Sequence, residues 1–334
     1  MQDFVIKIVK FGISIFHCSY TNEYSCGAYL ILTSIKFKHV GCHTSSYTSG
    51  NFHNSYIINV AIGLIELAPD RSNDERKTKF RNAGYGTKHE VENYISSEIK
   101  KHGTLCFALI DSESFLSSPM NVSKLEKIGI SALLVGGSSV TDQLELTQIV
   151  SNVKSQTKIP VILFPGNVTG VCPAADAILF SSLLNSDNPY FITEAQALGA
   201  LSVKKYNIEP LPTGYLIIGE GTTAWFVGRA RGVPHDKSGI AVMYSLAAQY
   251  LGMRFLYLEA GSGAKQGVQP QMVAAVRKNY GGILIVGGGI RDAATASEIA
   301  RAGADIIVIG TMIEKEANWE LKLSSILGAI VKDG

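Results

Sequence analysis

The chain lacks most features that mark specialised protein classes. Its 334 residues carry five cysteines, at 18, 26, 42, 106 and 172, an odd number with no CxxC pair. That excludes a disulfide scaffold, and Cys18, Cys26, Cys42, His39 and His43 match no metal-ligand spacing. Charge of one sign is missing too, since 30 basic against 28 acidic side chains leave +2. Without a basic field no nucleic-acid partner is expected. Long apolar runs are absent near the start: FVIKIVKFGISIF is broken by Lys7 and Lys10, and IINVAIGLIELA has only 12 residues. A spanning helix needs about 20. No small-residue cleavage site follows the first stretch. The expectation is a soluble, cytoplasmic protein with no transmembrane segment. What is plentiful is core material: 46% of residues are hydrophobic and 33 are glycine, enough for a large α/β domain.

Two unlike pieces share the chain. Residues 1 to about 60 are rich in Ser, Tyr, Cys and His, hold only two acids (Asp3, Glu23) and no arginine, and keep no period of two or 3.6. From Glu66 to Lys101 the composition becomes charge-dense, a linker running into a short helix near 90 to 101. Residues 1–90 are therefore expected to form an irregular, poorly ordered extension, and residues 91–334 the folded domain. A mis-assigned start would also give such a stretch. No methionine lies between Met1 and Met120, which is beyond the first strand of the domain, so an internal start would need another codon, such as that of Val91. Peptide mapping of natively expressed protein separates the two, and peptides from residues 1–80 would refute the second.

From 103 onward short apolar runs alternate with helix-length amphipathic segments, the pattern of parallel strands joined by crossover helices. The candidate strands are 104–110, 132–137, 160–164, 177–181, 214–219, 255–260, 282–289 and 305–310. Eight such units fit a (β/α)8 TIM barrel. Only PGNVTGVCPAAD separates the third and fourth strands, so that helix must be short or missing.

In such a barrel the chemistry belongs at the carboxyl ends of the strands. Those ends read Asp111, Gly136-Gly137-Ser138, Gly166-Asn167, Ser181-Ser182, Gly219 to Thr223, Glu259 to Gly263, Gly287 to Gly289 and Gly310-Thr311. Small and hydroxyl-bearing residues dominate, as befits a site that holds a phosphorylated ligand by backbone amides. IVGGGIRDAATASEIARAGADIIVIGT carries the strongest signal: three glycines, a helix beginning near Asp292, another strand, then Gly-Thr. Glycines admit an anion to the backbone, and the helix start adds positive dipole. A tight turn would need the same glycines. In MRFLYLEAGSGA, Glu259 ends a strand and can take a proton from a substrate hydroxyl, or merely pair with a neighbouring cation.

YLEAGSG, followed by IVGGGIR and IGT at these separations, resembles the geranylgeranylglyceryl phosphate synthase family, which includes the heptaprenylglyceryl phosphate synthases. The resemblance covers residues 92–334 and also takes in LIDSE, VGGSSVT and TGYLIIGEGTTAWFVGRARGVPHDKSGIAVMYSLAAQYLGMR. It implies a Mg²⁺-dependent prenyltransferase that joins the C3 hydroxyl of sn-glycerol 1-phosphate to geranylgeranyl diphosphate, the first ether bond of archaeal membrane lipids. It further implies a homo-oligomer with at most peripheral membrane contact. Asp111 and Ser138 match the family's metal positions. Ser138 also suits a helix N-cap for a segment beginning at Val140. Tyr257, Leu258, Glu259, Ala260, Gly261, Ser262, Gly263, Gly288, Gly289, Gly310 and Thr311 match the glycerol phosphate site, with Glu259 and Tyr257 as the catalytic pair.

Tyr257 would steady an allylic cation or simply pack. Tyr215, Trp225, Phe226 and Val227 are candidates for an apolar trough, and Arg229, Arg231 and Lys237 for diphosphate contacts or solvated charges. The chain departs from the family where Asp111 is followed by Ser112, Glu113 and Ser114 instead of a run ending in Lys or Arg. Two other classes share some of the signals. A sugar-phosphate isomerase or aldolase would have the same glycine loops but needs a strand-end lysine or a second acid, and the strand ends offer no lysine. A non-catalytic barrel would have no use for Asp111 and Glu259. Another prenyl chain length also fits.

Overall fold

A computed structural model describes residues 4–6, 16–21, 25–30, 89–117, 121–137 and 142–331. The chain divides into two units, Met1–Asp70 and Arg71–Gly334. In the first, strands β1 (Phe4–Ile6), β2 (Phe16–Thr21) and β3 (Ser25–Leu30) pair antiparallel in the order β1-β2-β3, a small sheet that the aperiodic sequence does not forecast. The segment Cys42, His39 and His43 lies outside the described residues.

The second unit is a closed barrel of eight parallel strands in chain order: β4 (Leu105–Asp111), β5 (Ala132–Gly137), β6 (Val161–Pro165), β7 (Ala177–Leu183), β8 (Glu209–Ile217), β9 (Phe255–Glu259), β10 (Ile283–Gly287) and β11 (Ile306–Ile309). All eight expected strands form, within a few residues of their expected bounds. The exception is β8, which begins at Glu209 and runs through Pro210 and Pro212. Those prolines are tolerated for a geometric reason. Glu209 sends its N–H to Asp176 on the β7 side, so the even-numbered positions face β9, and β9 pairs only from Thr213 onward. The missing donors fall where no partner strand exists.

Period-two alternation sorts each strand into two layers. Phe107, Leu134, Ile162, Leu211, Phe255 and Ile306 fill the barrel interior. Leu133, Val135, Leu163, Leu256, Leu258 and Val286 pack outward under the helices. The floor is helix α1 (Glu90–His102), whose Val91 and Ile95 are buried against the interior layer. Glu209 fixes it by accepting hydrogen bonds from the Val91 and Glu92 amides at 2.8 and 2.9 Å, and Arg254 clasps Glu92 through two bonds of 2.6 and 2.8 Å.

The third crossover has no α-helix. A single 3-10 turn, Val168–Gly170, stands in its place, as the short PGNVTGVCPAAD segment requires. Adjacent strands β6 and β7 share only two register pairs, Ile162↔Ala177 and Leu163↔Ile178, whereas β7 and β8 share seven. The barrel wall therefore parts above Leu163. Among the described residues no helix is long and apolar enough to cross a membrane.

Candidate active site

Where the strands end, one cavity of about 740 Å³ opens over the barrel. It is lined by Asp111, Tyr257, Glu259, Gly261, Ser262, Gly263, Gly288, Gly289, Gly310 and Thr311, so the expected residues of strands one, six, seven and eight meet in one space. Leu258 and Ala260 do not share it: alternation turns both into the buried layer outside the barrel, and Ala260 donates its N–H to Gly287. Ser138 lies outside the described residues. Helix α2 (Gln143–Ser155) is capped by Asp142, which accepts from the Leu144 and Glu145 amides.

Glu259 is 5% exposed. One carboxylate oxygen accepts the Gly261 N–H at 2.5 Å. Burial lifts its pKa above the ordinary glutamate value, while the nearby Tyr257 hydroxyl and the Gly261 amide pull it partly back. The opposing β10 residue is Gly287, and Gly288 follows with φ +81°. A Cβ at Gly288 would stand 2.6 Å from Glu259 Oε1 and 2.6 Å from Gly261 N. Only glycine fits both the dihedral and the space. Across the loops, Ser262 Oγ and Thr311 Oγ1 are 2.8 Å apart, joining the strand-six and strand-eight ends. Asp292 caps helix α3 (Ala293–Arg301) through Thr295 N at 2.8 Å, where that helix start was expected.

Tyr257 is fully buried, and its hydroxyl, packed under Gly287, has no hydrogen-bond partner. It is near enough to favour the Glu259 charge without bonding geometry. Its ring lies stacked on Phe164 at 5.5 Å and edge-on to Tyr215 at 5.4 Å, giving an aromatic wall beside the acid.

Asp111 occupies the far side of the cavity. Its Oδ1 accepts from Ser114 N at 3.1 Å, and its Oδ2 faces Gly137, where a Cβ would approach to 2.9 Å. A carboxylate oxygen at a strand end is the ligand type that a hard cation such as Mg²⁺ takes. Sequence reasoning missed Glu314, on helix α4 (Thr311–Lys315) after β11, whose Oε1 accepts from Asp111 N at 3.4 Å. Partial burial and the neighbouring Asp111 charge lift the Glu314 pKa. The motif GTMIEKE held that signal, but only the turn of a short helix brings Glu314 back to strand one.

The apolar end of the cavity runs through the parted wall. Phe180, Leu183, Tyr215, Gly199, Val203 and Val227 line it. The trough expected of Tyr215 and Val227 is there, but Phe226 is 76% exposed and Trp225 packs against Leu183 and Ile217 instead. None of Arg229, Arg231 and Lys237 reaches the cavity: Arg229 pairs with Asp187 at 3.0 Å and Lys237 with Asp236 at 2.9 Å on the surface. A further metal-capable group among the described residues, His89, Glu92 and Glu209, sits at the opposite rim, where both Glu209 oxygens accept amides of the floor helix and the Glu92 carboxylate accepts from Arg254.

A closed barrel with glycine loops at strands seven and eight, a buried acid at strand six and one cavity over the strand ends has the build of a TIM-barrel enzyme. The chain belongs to the PcrB family, whose model matches residues 109–330. It is 62% identical over 244 residues to the geranylgeranylglyceryl phosphate synthase of Nitrosopumilus maritimus, covering 72% of this chain and 97% of that one. To the enzyme of the same name in Thermococcus gammatolerans it is 50% identical, over 69% of this chain and 92% of the other. A crystal structure of (S)-3-O-geranylgeranylglyceryl phosphate synthase from Thermoplasma acidophilum, in complex with substrate sn-glycerol-1-phosphate, superposes with TM-score 0.66 at 35% identity, over 71% and 97% of the two chains.

Proposed function

We propose that the protein is a Mg²⁺-dependent prenyltransferase that makes geranylgeranylglyceryl phosphate and diphosphate from sn-glycerol 1-phosphate and geranylgeranyl diphosphate. The observation that carries this reading is the shared cavity, in which a buried carboxylate stands between a glycine cradle and an apolar trough. The relatives' names, and the glycerol phosphate held by the Thermoplasma acidophilum enzyme, support the same reaction.

The phosphate is held by the backbone around Gly288-Gly289 and Gly310-Thr311, with Ser262 and Thr311 as hydroxyl donors. That fixes the glycerol so that its C3 hydroxyl meets Glu259. The oxygen bonds to C1 of the prenyl chain as the C1–oxygen bond to diphosphate breaks. The proton passes to the Glu259 carboxylate, and the bonding pair leaves with the diphosphate. Asp111, with Ser138, would hold Mg²⁺, which when bound neutralises the leaving diphosphate. The aromatic wall of Tyr257, Phe164 and Tyr215 excludes water and faces the allylic carbon with π density. Placing two substrates in one orientation supplies much of the rate. The trough between β6 and β7 takes the prenyl chain. The reading also makes the protein a cytoplasmic homo-oligomer that meets membranes only at their surface.

The test is turnover of radiolabelled geranylgeranyl diphosphate with sn-glycerol 1-phosphate and Mg²⁺, in the wild type, Asp111→Asn and Glu259→Gln. A lipid-extractable phosphate product from the wild type alone is expected. Full activity in Glu259→Gln would remove the proposed base.

A further inference from the structure

The cavity binds two anions in the reading above, yet its lining is acidic at one end and carries few cations. Asp111 and Glu314 meet where the diphosphate would be held, and the strand-one turn Ser112-Glu113-Ser114 contributes no basic side chain. Among the described residues only Arg291 and Lys315 bring positive charge to the cavity wall. Arg291 is committed to the glycine side, donating to the Ala264 carbonyl at 2.8 Å. Lys315 forms no salt bridge among the described residues.

The helix that carries Lys315 begins at Thr311. Residues four apart lie on one helical face, roughly 5–6 Å between Cβ atoms, so Lys315 shares the cavity-facing side with Thr311. Its neighbour Glu314 is the residue that reaches Asp111 N. Lys315 therefore lines the same cavity as Thr311, Glu314 and Asp111, with a flexible stem and a point charge suited to an anion that arrives and leaves.

We infer that Lys315 is the cation that counters the diphosphate of the prenyl substrate, in place of a basic residue on the strand-one turn. The inference rests on the prenyltransferase reading. It makes Lys315 a binding residue for the leaving group and assigns it no role toward the glycerol phosphate.

The test is calorimetric binding of inorganic pyrophosphate with Mg²⁺, and separately of sn-glycerol 1-phosphate, to the wild type, Lys315→Gln and Lys315→Arg, with steady-state KM for both substrates. Lys315→Gln is expected to weaken pyrophosphate binding and raise the prenyl diphosphate KM about tenfold, the effect of one charge-assisted contact. Glycerol phosphate affinity stays within twofold, and Lys315→Arg recovers most of the loss. Unchanged pyrophosphate affinity in Lys315→Gln, or a loss confined to glycerol phosphate, would overturn the inference while leaving the prenyltransferase reading intact. A wild type that binds neither anion and makes no product overturns both.

Discussion

Glu259 gains its chemistry from position. The sequence FLYLE alternates so that Phe255, Tyr257 and Glu259 point inward while Leu256 and Leu258 point outward. A carboxylate at the top of that inward row is dry, and desolvation lifts its pKa. Because the proton acceptor must be ionised, the acid side of the pH–rate profile is expected at higher pH than an ordinary surface glutamate would give. Activity rises as pH climbs through the folded-state value, and Glu259→Gln abolishes that limb. The same raised pKa acts on stability with the opposite sense: the contribution is fully present below the unfolded value and is lost as pH rises through the folded one. Rapid-mix kinetics across pH 4–8 on Glu259→Gln should show a loss of about 10²–10⁴-fold, the usual share of a general base. A second residue-scale prediction concerns Gly288. Its φ of +81° and its contact with Glu259 and Gly261 mean that Gly288→Ala strains the backbone and displaces the acid. A stability loss of about 1–3 kcal/mol by urea unfolding is expected, with glycerol phosphate affinity reduced more than prenyl diphosphate affinity.

At the scale of elements, the missing third helix and the short β6–β7 pairing act together. Two register pairs hold those strands, and above them the wall opens into the trough beneath Gly199 and Val203. A Cβ at Gly199 would meet only Val171 Cγ2, at 3.8 Å, so a methyl fits but a larger side chain must project into the trough. Gly199→Leu is expected to suppress turnover of geranylgeranyl diphosphate while sparing geranyl diphosphate, read as the ratio of their kcat/KM values. The missing helix was legible from the dozen residues between two apolar runs. The trough is legible only in part, at Tyr215 and Val227, because its course between β6 and β7 depends on how far two strands stay paired. Of the two fates open to the basic residues after strand five, Arg229 and Lys237 take the solvated one. Contacts between Ser186 and Gly228, and between Asp187 and Arg229, pin that segment against the preceding loop. Glu314 and Lys315 are not legible in the sequence because a one-turn helix reverses what strand alternation suggests. The early start of β8 was hidden by two prolines whose harmlessness depends on a neighbour absent at that level.

For the molecule as a whole, the eight-stranded closure sets a reactive rim and a structural rim. Glycine loops, acid and trough share one end, and the other is sealed by α1. Glu209 serves that seal by satisfying two amides at the helix start. Glu209→Ala leaves both unpaired and should cost about 1–3 kcal/mol, seen as a lower urea midpoint with catalysis in the folded fraction unchanged. The barrel unit begins at Arg71, and its floor helix lies wholly within it. A chain from Arg71 to Gly334 is expected to fold cooperatively and retain catalytic activity, which thermal unfolding and the turnover assay would establish together.

The proposed reaction requires both substrates to occupy the same rim at once. The most direct measurement is a crystal structure with sn-glycerol 1-phosphate, Mg²⁺ and a thio-linked, unreactive analogue of geranylgeranyl diphosphate. Phosphate density at Gly288-Gly289 and Gly310-Thr311, diphosphate beside Asp111, and the glycerol C3 hydroxyl within hydrogen-bonding reach of Glu259 is the predicted result. Anions bound at separate rims, or a C3 hydroxyl turned away from Glu259 with the analogue in place, would contradict it.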